Sequence, residues 1–188
     1  MTSTNRRQAL MGFATLSMAL PLLAQAASAQ QPVDPNAQPQ PNPPGSGDPA
    51  AYVQQTLTAG SFSMQTSQLA VNKAQNPRVA EFAGLEVREQ QTVAQILSAT
   101  GQAAPQLPQD KADMLAALQA QDGGPEFDLA YVDSQIAGHQ ELLAIQQQLS
   151  GMTQASVEVI TAKLGEQAIA SHLAMLSRLR EDLTGQAG

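Results

Sequence analysis

One glutamate and two histidines, Glu86, His139 and His172, are the residues of this 188-residue chain best suited by type to do chemistry. A carboxylate and two imidazoles could hold a divalent metal ion, provided they reach one point. A di-iron carboxylate centre needs more: a glutamate from each of two helices and Glu-x-x-His from each of two others. Ile136 and Ile169 stand three residues before the histidines, so that centre is not expected. A single-ion site meets a difficulty of height. If the last two helices turn at Gly151, His139 lies about 12 residues before the turn and His172 about 21 after it. At about 1.5 Å of rise per residue that offsets them by roughly 12 Å, whereas an ion holds its ligands at about 2 Å. The same count sets His172 level with Tyr131 and one turn from Asp128, and it predicts a buried histidine hydrogen-bonded to one of them.

The primary expectation is therefore no metal and no cofactor, with a divalent metal on Glu86, His139 and His172 as the alternative. Glu86 and Gln90 keep that alternative open, because both fall on the inward stripe of their helix. A buried carboxylate is costly unless paired, and such groups often mark sites. Gln135, His139 and His172 are in reach across the bundle. The set forms either a hydrogen-bonded layer that fixes helix register or a metal or small-ligand site.

Other chemistry finds no support, and no catalytic residue is nominated. Cysteine is absent, which excludes disulfides and thiolate sites. There is no Gly-x-Ser-x-Gly elbow and no glycine-rich phosphate loop; Gly123-Gly124-Pro125 reads as a helix break. Met64, Met114, Met152 and Met175 are scattered, and core filling accounts for Met64 and Met114.

The elements that must position these residues are helices. Aromatic residues make up 3% of the chain and β-branched residues are sparse, while Ala, Gln and Leu abound. Asp48-Pro49 and Asn76-Pro77 are helix starts, a capping side chain followed by proline. The first long helix carries Val53, Leu57, Gly60, Met64, Ser67 and Val71 on one stripe. The second carries Val79, Ala83, Glu86, Gln90, Val93 and Leu97, with Phe82 and Ile96 alongside, and ends at Gly101. A short helix with Met114, Leu115 and Leu118 follows, capped by Asp110. The third long helix aligns Phe127, Tyr131, Gln135, Gly138, Leu142, Ile145 and Leu149. The fourth aligns Val157, Ile160, Leu164, Ile169, His172, Leu176, Leu179 and Leu183. Short connections make antiparallel hairpins, so the expected fold is an all-α antiparallel four-helix bundle over 50–184, with one short extra helix between the hairpins.

The preceding segments give an address. Arg6 and Arg7, the uncharged run from Gln8 to Leu23 and Ala27-Ser28-Ala29 form an export signal over 1–29. Asn5-Arg6-Arg7-Gln8-Ala9-Leu10-Met11 resembles a twin-arginine signal, with general export the alternative. Residues 30–49 hold seven of the twelve prolines and read as a disordered leader. The expected location is periplasmic or secreted, and without cysteine the protein is not a lipoprotein. Removing Arg6 and Arg7 takes the formal charge from −7 to −9, which disfavours nucleic acid and anionic lipid. No membrane insertion of the mature chain is expected. A protein partner stays open, as does oligomeric state.

Two segments carry a family resemblance. Asn76-Pro77-Arg78-Val79-Ala80-Glu81-Phe82-Ala83 is similar to the first hairpin of the bacterial family called domain of unknown function 4142. Phe127-Asp128-Leu129-Ala130-Tyr131 through Gln135, His139-Gln140 and the later His172-Leu173 resemble its second. The resemblance spans about Ala50 to Leu183 and implies a ferritin-like bundle and an exported protein, sometimes labelled an outer-membrane protein. Family members carry a glutamate in the first helix and Met-x-x-Asp-His in the second. Here those positions hold Ser63, Glu86, Glu89 and Gln90, so that carboxylate and that imidazole are missing. The expected role is a non-enzymatic envelope accessory or stress-related protein. The alternative is a metal or small-ligand binder with a degenerate site in the bundle core.

Overall fold

Asp48 and Asn76 do cap the first two helices. The Asp48 side chain accepts from the Ala50 amide at 3.2 Å and Asn76 from the Arg78 amide at 2.9 Å, each with a proline as first helical residue. The structure is a computed structural model that describes residues 47–185. Its helices are α1 (Pro49–Lys73), α2 (Pro77–Ser98), α3 (Gln109–Ala120), α4 (Pro125–Ser150) and α5 (Val157–Gly185), with no strand among the described residues. The export signal expected over 1–29 lies outside those residues, as does most of the expected leader. Of the leader's last residues, Pro49 is already helical, and the Gly47 amide donates to the Gln148 carbonyl at 3.0 Å.

Side-chain pairs fix how the long helices run. Tyr52 pairs with Gln146 and Ser67 with Tyr131, so α1 and α4 are antiparallel. Ser63 pairs with Glu86, and His139 with His172, which gives the same sense to α1 with α2 and α4 with α5. The chain turns within 74–76 and within 151–156. After α2, Gly101 takes φ 86, a left-handed conformation that favours glycine. Helix α3 then carries the chain back along α1, its end held by Lys73 Nζ donating to the Gln119 and Gln121 carbonyls. Asp110 lies in the first turn of α3 with Pro108 at the cap, so the expected Asp110 cap does not form.

Two apolar clusters fill the interior. One gathers Tyr52, Val53, Leu57, Leu97, Leu142, Leu149, Val159, Ala162 and Ile169. The other gathers Ala70, Val79, Phe82, Leu118, Phe127, Tyr131, Leu176 and Leu179. Between them lie Ser63, Thr66, Glu86, Gln90, Gln135 and His139, all buried. A polar layer thus lies between the two clusters, with Thr56, Ser67, Asp128 and Gln146 buried outside it. No helix among the described residues is long and apolar enough to cross a membrane.

The face expected for the first half of α5 is corrected. Val159 and Ala162 point inward, while Val157, Ile160 and Leu164 are exposed, Leu164 at 69%. Small residues are needed there because α5 lies close to α4: a Cβ on Gly165 would meet Gln146 Oε1 at 3.0 Å. The bulkier side chains are left on the outside, beside the equally exposed Ile96 of α2. Met114 and Val71 are also exposed, so neither fills the core as expected.

Candidate metal centre

Helix periodicity aims one polar side chain after another into the middle layer: Ser63 from α1, Glu86 and Gln90 from α2, Gln135 and His139 from α4, and His172 from α5. Glu86 and Gln90 are one turn apart, and Glu86 Oε1 accepts from Gln90 Nε2 at 2.9 Å and from Ser63 Oγ at 2.7 Å. Ser63 Oγ also lies 2.7 Å from Gln135 Oε1, and Gln135 Nε2 lies 2.7 Å from Thr66 Oγ1. One hydroxyl hydrogen cannot serve two acceptors. Turning the Gln135 amide over lets it donate to Ser63 Oγ and frees the Ser63 hydrogen for Glu86, with the loss of the Thr66 hydroxyl bond to the Phe62 carbonyl. Gln90 fits because α1 has no side chain opposite it: a Cβ on Gly60 would come within 2.4 Å of Gln90 Oε1.

The other carboxylate oxygen is different. Glu86 Oε2 is buried and has no hydrogen-bond partner. It lies 3.4 Å from His139 Nε2 and 3.5 Å from His172 Nδ1, and those two nitrogens are 3.3 Å apart. His139 Nδ1 is 2.8 Å from the Gln135 carbonyl, which can only accept. That nitrogen therefore carries a hydrogen, which leaves Nε2 to turn a lone pair to the centre whenever the ring is neutral. Glu86 Oε2, His139 Nε2 and His172 Nδ1 thus converge on one point. Their separations exceed the roughly 2.7–2.9 Å of charge-assisted hydrogen bonds. They fall within the roughly 3.3–3.6 Å between donors held at about 2.0–2.2 Å by a tetrahedral ion. Adjacent corners of an octahedron at such bond lengths would be closer, at about 3.0 Å.

Burial by itself would raise the Glu86 pKa, but the neighbouring His139 and the hydrogen bonds from Ser63 and Gln90 hold it below the ordinary carboxylate range. The Phe82 ring walls one side, its centroid 6.0 Å from that of His139 and 5.7 Å from that of His172. Access is from the seam between α2 and α5. There His172 is 15% exposed, and Glu89 places Oε2 3.5 Å from His172 Nε2. Glu89 also edges a cavity of about 410 Å³ lined by Val93, Ile96, Ile160, Leu164 and Ala168.

The structure overturns the height argument. Glu86, His139 and His172 each present a ligand atom within 4.8 Å of the others. The last hairpin reverses through 151–156, with α5 starting at Val157, so its middle lies past Gly151 and the offset between the two histidines falls to about 6 Å. The expected partners of His172 are engaged elsewhere. Tyr131 Oη is 2.9 Å from Ser67 Oγ, and Asp128 accepts from the amides of Gln75 at 3.2 Å and Asn76 at 2.7 Å. Thr66, Phe82 and the outer contact of Glu89 are additions that sequence reasoning missed. The i, i+3 spacing of Glu86 and Glu89, which sets Glu89 one turn from a residue on the inward stripe, was the available signal for the last.

The family model described as Domain of unknown function (DUF4142) matches residues 34–179, most of the chain. No curated protein and no solved structure matches.

Proposed function

The chain belongs to the DUF4142 family, and we propose that it is an exported protein that binds one divalent transition-metal ion through Glu86, His139 and His172. The reading favours zinc or a similar ion at a tetrahedral site with one position left for water or an exogenous ligand. The observation that carries it is the orphaned, fully buried Oε2 of Glu86, aimed at two imidazole nitrogens whose spacing suits an ion better than hydrogen bonds. A buried acceptor without a partner is costly, and a cation removes that cost.

In this reading the four long helices form an antiparallel, ferritin-like bundle, and α3 is the crossover between its hairpins. The site is a reduced form of the carboxylate-rich centres such bundles hold: one ion instead of two, with Ser63 and Gln90 as hydrogen-bond donors where ligands would stand. The role proposed is metal holding in the envelope. The address rests on Arg6-Arg7, the uncharged run after them and Ala27-Ser28-Ala29.

The test is metal content of the protein purified from the periplasm, followed by zinc titration of the metal-free protein. One equivalent bound in the wild type and lost in Glu86→Gln supports the reading. Absence of binding at micromolar zinc sinks it.

A further inference from the structure

We infer that Glu89 is a positioning residue of the metal site, acting through His172. The inference rests on the metal reading above and extends it to a side chain that would not touch the ion. Glu86 and Glu89 stand on either side of the His172 ring. Oε2 of Glu86 is 3.5 Å from Nδ1, and Oε2 of Glu89 is 3.5 Å from Nε2. A neutral imidazole carries one hydrogen, and only the nitrogen without it can bind a metal. In the metal-free protein Nδ1 also faces two acceptors, Glu86 Oε2 and His139 Nε2. When an ion binds at Nδ1 the hydrogen must sit on Nε2, where Glu89 accepts it.

His139 reaches the mirror arrangement by other means. Its Nδ1 holds the hydrogen against the Gln135 carbonyl at 2.8 Å, and its Nε2 faces the centre. The two rings thus turn opposite nitrogens inward, each fixed from behind by an acceptor. Metal-bound histidines are oriented in this way by carboxylates and carbonyls.

Charge balance points to the same residue. A divalent ion on one carboxylate and two neutral imidazoles leaves one positive charge in a buried layer, where uncompensated charge is costly. Glu89, half-buried beside His172, supplies the missing negative charge. It stands at the α2–α5 seam, the side from which the ion would enter.

The experiment is zinc titration against a chromogenic chelator for the wild type, Glu89→Gln and Glu89→Ala. The His172 Nε2 hydrogen of each zinc-loaded protein is read from imidazole proton and nitrogen chemical shifts. Glu81→Gln on the same helix is the control, with affinity unchanged. The expected result is an affinity loss of about 10–100-fold, larger for alanine than for glutamine, which retains an acceptor but not the charge. The Nε2–H proton shift of zinc-loaded His172 moves in both variants, because its acceptor charge is lost. Affinities within about twofold of wild type overturn the inference, and so does an affinity loss with an unchanged His172 Nε2–H shift, which would leave charge compensation alone. If the wild type takes up no zinc, the metal reading fails and the role assigned to Glu89 fails with it.

Discussion

His139 and His172 meet through opposite ring nitrogens: Nε2 of one lies 3.3 Å from Nδ1 of the other. Both nitrogens also face Glu86 Oε2, so α2, α4 and α5 converge on one point from three sides. Helices α2 and α5 pack against each other far less than α1 does against α2 or α4, or α4 against α5, and their outer faces leave Ile96, Ile160 and Leu164 in solvent. An ion at this point would therefore tie together the weakest seam.

The first consequence is thermal. A ligand that binds only the folded state at a hundredfold excess over its Kd adds about 2.7 kcal/mol. For a domain of this size that is a rise in Tm on the order of 10 °C. Zinc should produce it and magnesium should not, because the donor set includes two imidazoles. Differential scanning calorimetry of the metal-free protein with each ion makes the comparison.

Removing an inner donor should cost more affinity than removing Glu89. Glu86→Gln, His139→Ala and His172→Ala should each weaken zinc binding beyond the roughly 10–100-fold of an outer-shell change. The metal-free proteins should differ from one another. His139 is fully buried, so its truncation leaves a cavity and lowers Tm, whereas Glu86→Gln keeps the volume. Affinity lost in step with Tm across the three variants would point to unfolding and away from ligation.

Acid should act through Glu86. Its folded-state pKa is depressed, because the neighbouring His139 and two hydrogen bonds outweigh the effect of burial. The unfolded chain therefore takes up the proton first, so stability is present above the ordinary carboxylate range and is lost as pH falls through the folded pKa. Glu89 has the opposite sign: burial raises its pKa against the lowering effect of His172, and the charge on Glu86 adds to the rise. Its contribution is present below the unfolded value and is lost as pH rises through the folded one. Urea unfolding of metal-free protein between about pH 6 and pH 3 should show a flatter acid limb for Glu86→Gln than for wild type. Glu89→Gln should be no less stable than wild type at neutral pH.

How far the sequence was legible depended on where it carried local signals. Asp48-Pro49 and Asn76-Pro77 placed two helix starts, and Gly123-Gly124-Pro125 a third, because proline and capping side chains act within one turn. Glu86 and Gln90 were placed on the inward face of their helix by periodicity alone. Val157 was read as the first stripe residue of the last helix, where α5 does start, but the turn before it was placed too early. Ser156 supplied a cap signal, its Oγ accepting from the Val159 amide at 3.3 Å, but Gly151 looked like the sharper break. That shift misplaced His172 along its helix and separated two histidines that face each other. The face of α5 went astray for another reason: apolar residues lie on both of its sides, and the choice depends on how near α4 comes.

Tyr131 offers a direct check on the corrected partner assignment. Its hydroxyl is buried against Ser67 Oγ at 2.9 Å, and burial raises its pKa despite that hydrogen bond. Tyr131→Phe should cost about 0.5–1.5 kcal/mol, and Ser67→Ala, which orphans the buried hydroxyl, about 1–3 kcal/mol. Neither change should move zinc affinity or the His172 tautomer. A shift of either in Tyr131→Phe would restore the tyrosine as a partner of His172.

Asp128 carries the last prediction, and it concerns the fold more than the ion. At 1% exposure it would be an expensive charge if left alone, yet its two oxygens take the amides of Gln75 and Asn76, the turn between α1 and α2. One carboxylate from the first turn of α4 thus fastens the opposite hairpin. Asparagine has a single carbonyl oxygen and would set an amide hydrogen against one of those donors. Asp128→Asn should therefore cost about 1.5–3 kcal/mol, the range for hydrogen bonds to a charged group. Asp128→Ala should cost more, because it also empties space beside Phe127 and Tyr131. Hydrogen exchange supplies the local readout: the Asn76 amide, protected in wild type, should exchange faster in both variants. Zinc affinity should stay within about twofold of wild type, since Asp128 lies about three turns of α4 from His139. A large affinity loss would mean that the hairpin joint and the metal layer are mechanically coupled.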